Sequence, residues 1–144
     1  MAGIDKITAV RDLSAGNFLD YIGAPDTTVS ATFVAITGAS TTINQSSLGG
    51  WYLINISVSC YSTIANTEVE FSIKVDGTSV YLFRFFFNAA SQHTCISANY
   101  VLLATTTTGA HTFAVEWRRM SGTGTLHIDT NDWIKMSVLH AGGN

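Results

Sequence analysis

The sequence is short of charge. Lysine, arginine, aspartate and glutamate make up 12% of its 144 residues, against about 25% in ordinary soluble domains. No charged residue lies between Asp26 and Glu68, and the net charge is −3. The only adjacent cationic pair, Arg118-Arg119, follows close after Glu116. Because nucleic-acid binding needs clustered positive charge, the composition argues against nucleic acid as the main partner.

Cysteine and proline are also scarce. Cys60 and Cys95 belong to no CxxC motif or Cys/His cluster, so Cys60 is interpreted as a buried free thiol, with a disulfide between the two left open. No stretch reaches the ~18 apolar residues of a membrane span, which predicts no membrane partner. The first residues, Met1–Lys6, lack the pattern of a signal peptide. We therefore expect synthesis in a cytoplasm.

The chain is instead rich in the alternation of apolar and polar residues that is typical of strands. Phe113, Val115 and Trp117 are spaced two apart, and threonine, serine and glycine fill many polar positions. Asp76-Gly77 is a strong hairpin signal, and the glycine-rich turn at 121–124 predicts a closing hairpin. The pattern predicts an all-β protein, a single jelly-roll β-sandwich of about eight antiparallel strands. The predicted strands are 28–36 with a short piece at 41–44, 50–60, 68–75, 80–87, 92–103, 112–117, 126–128 and 133–139.

Residues 1–26 differ in character from the rest. They contain the only proline, Pro25, and their apolar residues recur every third position, which fits neither a clean strand nor a strong helix. We interpret residues 1–26 as an extended N-terminal arm and residues 27–144 as the jelly-roll domain. The arm needs a surface to lie on, either its own domain or another subunit. Its candidate docking residues are Ile4, Ile7, Val10, Leu13 and Phe18.

The strand predicted at 80–87 is apolar on both faces. A sandwich strand normally has one dry face and one wet face, yet here Leu82 and Phe86 oppose a fully aromatic face. Covering both faces requires something outside the sandwich. The simple interpretation is an oligomer packed along this strand, and the alternative is a cover formed by the N-terminal arm. The candidate interface residues are Tyr81, Phe83, Phe85 and Phe87.

Catalytic and metal-binding patterns are weak. His93 and Cys95 could share a strand face, but no nucleophile motif accompanies them. A metal pair of His111 and His127 is conceivable across the last hairpin, although histidines without a function are commoner. The stretch 129–132 lacks the glycine and distal glutamate of a calcium loop and is interpreted as a turn. The sequence predicts no enzyme, no cofactor and no metal site.

The three tryptophans have different contexts. Trp117 is in phase with a dry strand face, which favours a core position. Trp51 and Trp133 are out of phase with the dry faces of their strands. Exposed tryptophans can stack on sugar rings, so these two are candidates for glycan contact.

In its order of strands the chain resembles trimeric jelly rolls of the tumour-necrosis-factor and complement-head type. The matching elements are Gly50-Trp51-Tyr52, which opens a central strand, and the Val75-Asp76-Gly77 turn. The stretch from Gly109 to Arg119, followed by Ser121-Gly-Thr-Gly-Thr125, resembles C-terminal domains of tailed-bacteriophage virion proteins. The resemblance covers roughly residues 27–140. It implies a homotrimer around an aromatic-lined axis and no catalytic residue.

Two functions follow as hypotheses. The first is a virion structural protein, a trimeric capsid decoration (cement) protein that binds the major capsid protein and stabilises the head shell. It would be made in the host cytoplasm and lie on the capsid surface. The second is a tail-fibre or receptor-binding tip that recognises host glycans through Trp51 and Trp133.

Overall fold

A computed structural model describes residues 13–21, 25–104 and 106–142, with side chains described from residue 25 onward. Strands dominate these residues, and no helix among them is long and apolar enough to cross a membrane. The strands are β1 (Leu13–Tyr21), β2 (Asp26–Thr28), β3 (Val34–Gln45), β4 (Trp51–Ser62), β5 (Thr67–Val75), β6 (Thr78–Phe87), β7 (Thr94–Leu103), β8 (Gly109–Ser121), β9 (Leu126–Ile128) and β10 (Ile134–Ala141).

The strands form two antiparallel sheets packed as a jelly-roll β-sandwich, which confirms the predicted fold class. In the six-stranded sheet, β4 is central and lies between β10 and β7, and β1 pairs with the other side of β10. The short strand β9 pairs with the end of β4 on one side and with β2 on the other. The four-stranded sheet has the order β3-β8-β5-β6. At one side of the sandwich the edge strands are therefore β6 and β7.

The core lies between the sheets and follows the alternation in the sequence. The inward residues of β4 face those of β5 and β8, and the rings of Tyr52 and Phe113 meet edge-on with centroids 5.0 Å apart. Trp117 is fully buried, which confirms its predicted core position. Large buried side chains of this kind contribute about 1.5–3 kcal/mol each through loss of apolar surface from water.

Two local expectations were wrong. The strand predicted at 28–36 is interrupted, because Thr28 accepts a hydrogen bond from the amide of Ser30, and the Ser30 hydroxyl donates to the carbonyl of Thr32. Such side-chain bonds compete with strand pairing. The piece predicted at 41–44 belongs to the long strand β3, whose pairing with β8 shifts between Ala35 and Ser40.

The predicted closing hairpin does not form. β8 pairs with β3 and β5, whereas β9 pairs with β2 and β4, so the turn at 121–124 carries the chain from one sheet to the other. This crossing packs tightly. Gly122 has φ +80°, and a Cβ at Gly124 would lie 2.2 Å from the Ser62 hydroxyl oxygen. The Asp76-Gly77 hairpin is confirmed, with φ values of 50° and 84°.

Part of the predicted arm is strand β1, which pairs with β10. Leu13 lies opposite Ala141, and Phe18 lies opposite Ser137. The arm residues Ile4, Ile7 and Val10 lie outside the described residues. The boundary between arm and domain at residue 26 stays a prediction.

Candidate functional site

The four aromatic residues predicted at an oligomer interface point toward the interior of the sandwich. Phe87 is only 2% exposed. Tyr81, Phe83 and Phe85 are half-buried and packed against the core. The Phe83 ring stacks on Phe71 with centroids 5.0 Å apart. Their role in an interface stays a prediction, and their observed contacts close the side of the sandwich where β6 and β7 are the edges.

Tyrosine contacts join these two edge strands. The Tyr81 hydroxyl donates a 2.5 Å hydrogen bond to the carbonyl of Val101, and its ring stacks on Tyr100 at 4.0 Å. Burial, with a smaller contribution from Tyr81, raises the pKa of Tyr100. The aromatic residues of β6 thus link the two sheets where strand hydrogen bonding ends.

The opposite face of β6 is exposed and has two large apolar side chains, one on each side of Arg84. Leu82 is 52% exposed and Phe86 is 51% exposed. We call these two residues the β6 patch. A strand that presents large apolar side chains at a sheet edge is suited to protein contact.

A second exposed apolar cluster lies on the outer face of the six-stranded sheet. Trp51 is paired with Leu103, and Leu53 is paired with Val101, across β4 and β7. All four side chains are exposed, Leu103 by 64%. We call these four residues the β4/β7 patch. The sequence signal for this patch is that residues 100–103 of β7 are apolar on both faces, as residues of β6 are.

The rest of this outer face is polar and almost uncharged. Asn55 lies opposite Asn99, and Ser57 lies opposite Ser97. These residues and Lys135 line a shallow depression beside the β4/β7 patch. The face therefore changes along its strands from an apolar end to an amide and hydroxyl end.

The outer face of the four-stranded sheet carries an ionic network. Buried Glu70 accepts a 2.6 Å hydrogen bond from Arg84 Nε on β6 and another of 2.6 Å from Arg118 Nε on β8. The Arg118 guanidinium also lies 4.5 Å above the Phe33 ring. Burial alone would raise the pKa of Glu70, but the two arginines outweigh it and lower that pKa. Lys74 and Glu116 form a further ion pair at 2.6 Å.

The structure separates the two tryptophans considered for glycan contact. Trp51 is paired with Ala141 at the end of β10, whereas Trp133 precedes the first residue of that strand. Eight residues at ~3.3 Å each place them roughly 26 Å apart along the strand. One sugar ring cannot contact both. Exposed Trp51 belongs to the β4/β7 patch, and half-buried Trp133 lines a small depression with Thr130, Asn131, Asp132 and Lys135.

The considered histidine pair is not brought together. His111, on β8 of the four-stranded sheet, donates a 2.7 Å hydrogen bond to the Asp76 carboxylate, whereas His127 stacks on Tyr61 in the other sheet. Burial alone would raise the pKa of Asp76, but bonds from His111 and the amide of Thr112 lower it.

Both cysteines are free thiols. Cys60 is buried, as predicted, and burial raises the pKa of its thiol. Cys95 is exposed, and its Sγ lies 3.1 Å from the Ser57 hydroxyl oxygen. The disulfide that the sequence left open is not formed between them.

The turn at 129–132 is confirmed. The amide of Asn131 donates to Asp129 Oδ1 at 2.8 Å, and the amide of Asp132 donates to the carbonyl of Asp129 at 3.0 Å. The sequence did not reveal that His93 lies beside this turn, because that contact joins loops 36 residues apart.

No protein-family model matches the sequence, and no curated protein matches it. Among solved structures, the fold is similar to a chain from the structure of infectious bursal disease virus Gx strain, with a TM-score of 0.56 and 14% identity. That match covers 90% of this chain but only 33% of the other, so this chain spans about a third of its length. A second match is PRD1 vertex protein P5, with a TM-score of 0.55, 11% identity and coverage of 89% and 73%. At these identities the similarity shows the jelly-roll fold.

Proposed function

We propose that this protein is a structural protein of a virus particle, a homotrimeric capsid decoration protein of a tailed bacteriophage. It binds the major capsid protein on the outside of the head and stabilises the shell. The observation that carries this proposal is the pair of exposed apolar patches on a sandwich with very little charge. Its fold is similar to that of a chain from a virus structure and that of a vertex protein, which supports a place in a virion.

The two patches suit a closed ring of subunits. The β6 patch and the β4/β7 patch lie on different sheets, so a contact between them is heterologous. Repeating a heterologous contact generates a ring when the rotation closes. Tyr81, Phe83 and Phe85 pack against the core on the inner face of β6 and support the β6 patch from behind. Three subunits follow from the resemblance to trimeric jelly rolls.

The N-terminal residues supply the contact with the shell in this proposal. β1 is held against β10, so residues 1–12 start from a fixed point on the domain. Ile4, Ile7 and Val10 dock on the major capsid protein. Three such segments on one trimer bind together, which raises avidity over that of a single segment. Synthesis takes place in the host cytoplasm, and the protein ends on the capsid surface.

The test is the mass of the purified protein by light scattering, followed by co-sedimentation with undecorated phage shells. We expect a trimer that saturates the shells at a fixed stoichiometry. A variant lacking residues 1–12 should remain trimeric and lose shell binding. The deletion stops there because removing β1 would also strip a strand from the sheet. A trimer that ignores shells would contradict the decoration role, and a monomer would contradict the trimer.

A second candidate function is glycan recognition by a fibre tip. The specific observation is the depression beside Trp133, where an indole ring, Asn131 and Lys135 are together. Aromatic faces with amide donors are suited to sugar rings. Trp133→Ala should abolish glycan or cell binding, while Trp51→Ala, roughly 26 Å away, should leave it unchanged. Equal binding by both variants and the parent protein would rule this function out.

A further inference from the structure

Three side chains from two loops converge beside the Trp133 depression. His93 lies in the loop between β6 and β7, and Asp129 and Asp132 lie in the loop between β9 and β10. One ligand atom of each residue lies within 4.8 Å of the others. The decoration role does not use this cluster, and only its Asp132 lines the depression considered for glycans.

Asp132 fixes the histidine ring. Its carboxylate is fully buried, accepts hydrogen bonds from the Ser59 hydroxyl and the Asp129 amide, and lies 2.9 Å from His93 Nδ1. A carboxylate oxygen can only accept, so the imidazole hydrogen is on Nδ1. The other ring nitrogen, Nε2, then presents a lone pair. The Tyr61 ring packs 4.5 Å from the His93 ring and further restricts it.

The Asp129 carboxylate presents a second lone pair close to His93 Nε2. Its Oδ1 accepts the hydrogen bond from the amide of Asn131. Its Oδ2 lies 3.8 Å from His93 Nε2, which is too long for a hydrogen bond. A tetrahedral zinc ion, with bonds of 2.0–2.1 Å, separates nitrogen and oxygen ligands by about 3.4 Å. The observed separation of 3.8 Å is close to this value, so a divalent cation fits between the two acceptors.

We propose that His93 Nε2 and Asp129 Oδ2 bind a divalent transition-metal ion of the zinc class. An imidazole nitrogen favours zinc, copper or nickel over calcium and magnesium, which prefer oxygen ligands alone. Asp132 acts as the positioning residue, since a carboxylate commonly orients a metal-bound histidine through its other ring nitrogen. His93 and Asp129 are partly exposed, so water completes the coordination. The ion clamps the loop after β6 to the loop before β10.

The experiment is isothermal titration of the metal-stripped full chain with zinc chloride, with calcium and magnesium chloride titrated in parallel. We expect one zinc ion per chain and no heat from the other two ions. Asp129→Asn keeps the acceptor for the Asn131 amide and removes the charged ligand oxygen, so it should weaken zinc binding about tenfold or more. His93→Ala should have at least the same effect.

The matched control is His127→Ala, which removes a histidine from the other side of the same aromatic stack, with centroids 4.9 Å from Tyr61. It should bind zinc like the parent chain. Absence of zinc binding would overturn the proposal and leave a plain His93–Asp129 contact. Unchanged binding in Asp129→Asn, whose folding is checked by circular dichroism, would overturn it equally, as would an equal loss in His127→Ala.

Discussion

The outer faces of the two sheets use their side chains differently. On the four-stranded sheet, Glu70 is held between Arg84 and Arg118, and Lys74 pairs with Glu116. Charge on that face is largely neutralised within the chain. On the six-stranded sheet, the outer residues described on β4, β7 and β10 include one charged side chain, that of Lys135.

The difference shows where a protein with few charges places them. A self-neutralised network stabilises its own sheet, so what that face offers a partner is the apolar β6 patch at the sheet edge and not unpaired charge. The outer face of the six-stranded sheet has apolar residues at one end and amides and hydroxyls at the other. Exposing the apolar end to water is unfavourable, and a partner can cover this face without burying an unpaired charge. The four predictions that follow test this division, beginning with the largest effect.

Charging the β4/β7 patch should break the proposed trimer. Introducing arginine at both positions of the cross-strand pair, Leu53→Arg with Val101→Arg, places like charges at the proposed subunit contact. We expect a monomer at concentrations at which the parent chain is a trimer, with a trimer population lowered at least about a hundredfold. Light scattering measures the mass. Ser97→Arg, on the same strand and face but at the polar end, should stay trimeric, and a monomer there would contradict the assignment.

Removing the central acid should weaken the ionic face. Glu70→Gln leaves two arginines without a counter-charge, although both reach water, so the free energy of unfolding should fall by about 1–3 kcal/mol. Urea denaturation followed by tryptophan fluorescence measures the loss. The matched control is Glu68→Gln, whose carboxylate accepts only a 3.5 Å bond from Ser121. Equal losses in the two variants would show that the network adds nothing.

Glu70 on this face and Asp76 in the turn after β5 should make stability depend on acid. The pKa values of Glu70 and Asp76 are lowered in the folded chain. Their stabilisation is therefore complete above the ordinary carboxyl values of 4.5 and 3.8 and is lost as pH falls through the lower folded values. The melting temperature should be flat from neutral pH to about pH 5 and then decline. In Glu70→Gln the decline should be shallower, and an unchanged slope would contradict the assignment.

The smallest effect concerns the thiols on the two sides of the six-stranded sheet. Cys95 lies on the outer face and Cys60 in the core, where burial raises its pKa. A thiol reagent should label one cysteine per folded chain, and none in Cys95→Ser. Mass spectrometry counts the labels. Labelling of Cys60 at a comparable rate would show that the sheet opens readily.

The local elements of this fold were predictable because their signals are local. Alternation in residues 50–60 and 68–75 predicted β4 and β5, and Asp76-Gly77 predicted the turn after them. In a run that is apolar on both faces, such as 80–87, the sequence pattern does not predict which face is buried in the core. The inward direction of Phe87 and the exposure of Phe86 depend on which sheet lies opposite.

Contacts between residues far apart in the sequence could not be predicted, because the signals in the sequence are local. Residues 121–124 have the turn signal of a hairpin, yet they connect one sheet to the other. Both edges of β8 are already paired, with β3 and β5, so β9 pairs with β4 instead. The contact between His93 and Asp132 likewise depends on how two loops meet at the end of the sandwich. The residues next to His93 and Asp132 in the sequence form no motif that predicts this contact.

The pairing of β1 with β10 has a consequence for the timing of folding. The first described strand finds its partner only in residues 134–141, so the sheet cannot close until the ribosome has released that strand. Contacts of such long sequence separation form slowly. Until then the edge of β4 that β10 will cover is open together with both apolar patches, so this is the interval in which the chain is most prone to aggregation.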